Sequence, residues 1–66
     1  MKNIRMSKIE DGVETVVEFF EGFYKVTIKQ RGKVSTEAIR YDIEDVTIPT
    51  LIDMYKICGL SIEEEK

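Results

Sequence analysis

Histidine is absent from this sequence and cysteine occurs once, and these two shortages exclude most familiar catalytic chemistries. Without an imidazole there is no Ser–His or Cys–His pair to activate a nucleophile, and one thiol falls short of the usual tetrahedral zinc sets. Cys58 has no second cysteine with which to form an internal disulfide, so cytoplasmic residence is the expectation. Long apolar runs are missing too. The opening residues Met1-Lys-Asn-Ile-Arg lack the roughly seven apolar residues of a signal peptide, and nothing approaches the ~20 of a membrane span. One proline, four glycines and no low-complexity run leave little that reads as disorder.

What is present is a chain of 66 residues, 42% hydrophobic and 35% charged, sufficient for one domain. A chain this short buries only about 60% of the surface that its unfolded form exposes, so marginal stability or help from self-association is expected.

The segment Val13 to Gln30 organises the rest. Val13, Val16, Val17 and Phe20 fall at helical spacing, yet Val, Thr and Phe favour a pleated surface and lose rotamer freedom in a helix. Asp11-Gly12, Glu21-Gly22 and Arg31-Gly32 recur about every ten residues, the punctuation of a β-meander. With two-residue loops at 11–12, 21–22 and 32–33, one face collects Ile4, Phe19, Tyr24 and Tyr41 in one row and Met6, Val17, Val26 and Ile39 in the next. The other face collects Arg5, Glu18, Lys25 and Arg40, then Ile9, Glu14, Lys29 and Thr36, so that Glu18 opposes Lys25 and Glu14 opposes Lys29.

The pattern therefore predicts an α+β fold: a four-stranded antiparallel meander (3–10, 13–20, 23–31, 34–43) with one C-terminal helix (48–58) on one face. The first strand is expected at an edge, carrying Lys2, Arg5 and Lys8. Pro49 suits the first helical turn, with Thr47 the better N-cap by side chain. Leu51, Ile52, Tyr55 and Cys58 form the inward stripe, and Gly59-Leu60 reads as a stop. Residues 1–60 then form the domain and residues 61–66 a flexible acidic tail.

Charge is unevenly divided. Residues 25–40 hold five cations against one carboxylate, and residues 41–66 hold seven carboxylates against two lysines. Asp42, Glu44 and Asp45 match no cation-binding loop, and carboxylates before a helix are favoured by its dipole in any case, so no metal and no cofactor are expected. The uncovered sheet face is expected to present Phe20, Phe23 and Val16 as apolar anchors, with Arg5, Lys25 and Arg40 fixing orientation. That combination points to a small intracellular protein-interaction module without catalytic activity, self-associating as a homodimer or binding another protein. The alternative is a nucleic-acid-binding module using Lys25, Lys29, Arg31, Lys33 and Arg40, against which Glu14 and Glu18 would repel phosphate. A further alternative is an acidic inhibitor that imitates nucleic acid through Asp42, Glu44, Asp45, Glu63, Glu64 and Glu65. An enzyme would need a nucleophile and base in recognisable arrangement, and none is evident.

Overall fold

Two of the three glycine turns, Asp11-Gly12 and Arg31-Gly32, hold both central residues at positive φ, 53° and 76° in the first and 54° and 77° in the second. This is type I′ geometry, whose twist matches the flanking strands and which joins them by two residues. In the computed structural model, which describes residues 3–63, the turns connect β1 (Ile4–Glu10), β2 (Val13–Phe20), β3 (Phe23–Gln30) and β4 (Lys33–Tyr41). A 3₁₀ turn at Asp45–Thr47 leads into α1 (Ile48–Ile57), and a short β5 (Ser61–Ile62) follows. The sheet order is β4-β3-β2-β1-β5 with antiparallel pairing throughout, an α+β meander with one C-terminal helix.

Val13–Phe20 is strand along its whole length, because its branched and aromatic side chains are matched on both flanks. The first two hairpins have the expected register: Ile4 opposes Phe19, Met6 opposes Val17, Glu18 opposes Lys25 and Glu14 opposes Lys29.

β4 departs from it. After the Arg31-Gly32 turn Gln30 pairs with Lys33 and Lys29 with Val34, but Ile28 then pairs with Thr36, leaving Ser35 as a bulge. A bulge is one extra residue, and one residue inverts every later side chain. Arg40 therefore opposes Tyr24, and Ala38 opposes Val26, on the helix side. Ile39 and Tyr41, expected inward, oppose Lys25 and Phe23 on the uncovered side. An unbroken ladder from the same turn would set Glu37 against Val26 beside the core. The bulge puts small Ala38 there and sends Glu37 to the open face opposite Thr27.

The other correction concerns the chain's end. Ser61 and Ile62, expected within a tail, pair with Ser7 and Met6, and the Glu63 amide donates to the Arg5 carbonyl at 2.8 Å. β1 is thus an interior strand rather than an edge. Lys2 and residues 64–66 lie outside the described residues.

α1 is anchored at both ends. At its start Asp42 takes φ 58° after β4, and the Ile43 amide then donates to the Gly22 carbonyl at 3.0 Å. Thr47 is the N-cap residue but makes no side-chain cap bond; its amide donates instead to Glu44 O at 2.9 Å within the 3₁₀ turn. At its end Gly59, at φ 100°, forms a Schellman motif: its amide donates to Lys56 O and that of Leu60 to Tyr55 O. Leu60 is buried, and Lys8 Nζ donates to the Cys58 carbonyl at 2.9 Å, a cation at a helix C-terminus. Cys58 itself is exposed rather than part of the inward stripe, since the helix has already turned away at its cap.

These anchors place α1 over β1 and β2. Met6, Val17, Phe19, Ile48 and Leu60 form the buried cluster, with Ile4, Tyr24, Val26, Ile43, Leu51, Ile52 and Tyr55 packed around it. A ten-residue helix is about 15 Å long, whereas five strands span about 19 Å, so one sheet margin goes uncovered. That margin is β4, exposed at every residue.

Candidate partner surface on the uncovered sheet face

Opposite α1, pairing across the strands builds four rows. The row nearest the Glu21-Gly22 turn holds Phe20, Phe23 and Tyr41, the next Arg5, Glu18, Lys25 and Ile39, the third Ser7, Val16, Thr27 and Glu37, and the last Ile9, Glu14, Lys29 and Val34.

The first row is an aromatic strip. The Phe20 and Phe23 rings stack with centroids 4.7 Å apart at 15°, and Phe23 meets Tyr41 at 5.9 Å and 32°. Phe20 and Phe23 are each half-buried by their neighbours, whereas Tyr41 is 68% exposed. Tyr41 is the site residue that sequence reasoning missed, because the Ser35 bulge, which carries no turn signal, decides its face.

The second row is an ionic chain. Glu18 accepts Arg5 at 3.4 Å through Oε2 and Lys25 at 3.8 Å through Oε1, and Arg5 also pairs with Glu63. All these groups are partly exposed, so each pair contributes little stability and mainly orders the surface.

Val16, expected as an exposed anchor, is 1% exposed. With Thr27 it floors a shallow open depression of about 190 Å³ whose walls are Arg5, Glu18, Lys25, Lys29, Val34 and Glu37. Long charged side chains bury their stems over the central strands and keep their heads in water, which is how Val16 is covered without a helix. The depression is smaller than the ~300–1,000 Å³ of typical small-molecule sites.

Arg40, expected to orient a partner here, lies on the helix side because of the bulge. Its charge there acts on Tyr55. Burial raises the Tyr55 hydroxyl above its ordinary pKa, neighbouring Tyr24 raises it further by charge and by a hydrogen bond, and Arg40 pulls the other way. Tyr55 is held as the neutral phenol and packs against Phe19 (6.4 Å, edge-on).

The cations proposed for nucleic acid are not brought together. Lys25 and Lys29 share the open face, Lys33 and Arg40 lie on the helix side, and Arg31 sits in a turn. The carboxylates divide likewise, with Asp42, Glu44 and Asp45 exposed before α1 and Glu63 folded back on Arg5; Glu64 and Glu65 lie outside the described residues. Among the described residues no three His, Cys, Asp or Glu side chains are grouped to hold a metal ion, and no helix is long and apolar enough to cross a membrane. No protein-family model, curated protein or solved structure matches the chain.

Proposed function

We propose that the protein is a small, non-catalytic interaction module of the cell interior that binds a protein, a second copy or another chain, through the sheet face opposite α1. The observation that carries this reading is the strip Phe20–Phe23–Tyr41, three rings in contact that lead from the half-buried sheet end to the exposed edge. Stacked aromatic side chains are already rigid, lose little entropy on binding and dominate interface energetics. The Arg5–Glu18–Lys25 chain beside them presents both signs of charge, which suits an oriented contact and permits self-complementary pairing about a two-fold axis.

Burial of Phe23 and Tyr41 would contribute roughly 1.5–3 kcal/mol each before the cost of association is subtracted. The test is sedimentation of the wild type and of Phe23→Ser/Tyr41→Ser at tens of micromolar, with folding checked by circular dichroism. A wild-type dimer and a folded monomeric variant are expected for self-association. If both are folded monomers the two-fold form fails, and if the variant also keeps every partner of the wild type the face is ordinary surface. Salt-sensitive binding of a single-stranded oligonucleotide, lost in Lys25→Glu/Lys29→Glu, would favour the nucleic-acid alternative.

A further inference from the structure

The two edges of the sheet are built differently. β5 ends one with two residues, while β4 leaves the other open over nine, all of them exposed. Along a free antiparallel edge every second residue turns its N–H and C=O outward, a template for an added strand. The Ser35 bulge disturbs the Lys33 end of this edge, but Thr36–Tyr41 is regularly paired with β3.

The side chains along this edge specify what it can accept. On the open face it presents Val34, Glu37, Ile39 and Tyr41; on the helix side it presents Lys33, Thr36, Ala38 and Arg40. The helix side of the edge thus has two cations and no carboxylate, and neither cation forms an ion pair with a described residue. The β4 of a second copy does not satisfy them. Antiparallel β4 strands related by a two-fold axis pair residues of the same face, so Arg40 would meet Thr36, Ala38 or Arg40 of the copy and never an acid. The cations repel another β4 and attract an acidic strand, so the device that guards the edge also selects its partner.

We propose that β4 is the docking edge for an extended segment of another protein, added by strand pairing along Thr36–Tyr41, in which carboxylates alternate with branched or aromatic residues. The carboxylates lie on the helix side over Arg40, and the apolar residues extend the rows of Ile39 and Tyr41. This rests on the reading of the protein as an interaction module and commits it to a partner other than itself at this edge.

The probe is a blocked peptide of about eight residues alternating glutamate and valine, titrated into the isotope-labelled full chain. Amide exchange within Thr36–Tyr41 is expected to slow about tenfold or more at saturation. A peptide with lysine for glutamate should bind about tenfold more weakly, and Arg40→Glu should reverse that preference. The glutamate peptide N-methylated at alternate amides should not bind, because it cannot complete the ladder. Undiminished binding of the methylated peptide, equal binding of the two charge forms, or no β4 protection at millimolar peptide each overturns the proposal. Arg40→Glu leaves Phe20, Phe23 and Tyr41 intact, so sedimentation of that variant reports on the aromatic face separately from the edge.

Discussion

β2 and β4 are adjacent in the meander but for one strand, both mix branched with charged residues, and they end with opposite fates. β2 buries Val17 and Phe19 beneath α1, whereas β4 buries nothing. Composition does not separate them, since Val34, Ile39 and Tyr41 are as apolar as residues that β2 hides. The difference is the position of α1, and that position is set at its ends: Ile43 is tied to Gly22, while Leu60, β5 and the Lys8–Cys58 bond are tied to β1. A short helix fastened toward one edge makes one half of the sheet a core and leaves the other as a surface.

The sharpest way to break this comparison is to truncate one ring in each half. Phe19→Ala should cost about 3–5 kcal/mol, a large part of the roughly 3–10 kcal/mol expected for a domain of this length. Tyr41→Ser should cost less than about 0.5 kcal/mol. Urea melts giving the two variants similar midpoints would show that β4 belongs to the core after all.

A smaller effect tests the fastening itself. Gly59 sits at φ 100°, and a Cβ there would meet only Lys8 Cδ at an ordinary 3.7 Å, so Gly59→Ala should cost about 1–2 kcal/mol through backbone strain alone. Hydrogen exchange should then rise in β5 and the end of α1 while β3–β4 amides keep their rates. A uniform rise would mean that the cap does not position the helix separately from the sheet.

The least of the expected effects depends on pH. Burial and Tyr24 raise the Tyr55 hydroxyl in the folded state, so above about pH 10, the ordinary tyrosine value, the unfolded chain gives up this proton first. Stability from this group is therefore whole below that pH and falls as pH rises through the folded value. Tyr55→Phe should lose stability less steeply than the wild type between neutral and alkaline pH. Parallel curves would show that Tyr55 is not held against the sheet as described.

Much of the architecture was legible from residue order because its signals are local. Turn dipeptides set the hairpins, alternation assigned Met6, Val17 and Phe19 to the covered face, and Gly59-Leu60 marked the end of the helix. Phe20 and Phe23 were legible as a pair for the same reason, being adjacent across one two-residue loop. Arg40, Val16 and Tyr41 were not. Arg40 and Tyr41 depend on a single unpaired residue at Ser35, and Val16 on charged side chains from four strands that surround it. Lys8 read only as a charge on an expected edge strand, and its partner is a carbonyl fifty positions away.

The sequence by itself determined the meander, the helix and the pairing of the first three strands, since each follows from φ preferences, side-chain alternation and two-residue loops within about ten residues. The tertiary structure alone decided which face β4 shows, that Ser61–Ile62 closes the edge beside β1, and that β4 remains open. Those outcomes turn on competition between distant segments for the same sheet: keeping Glu37 off the core favours the bulge, and anchoring Leu60 beside β1 draws α1 away from β4.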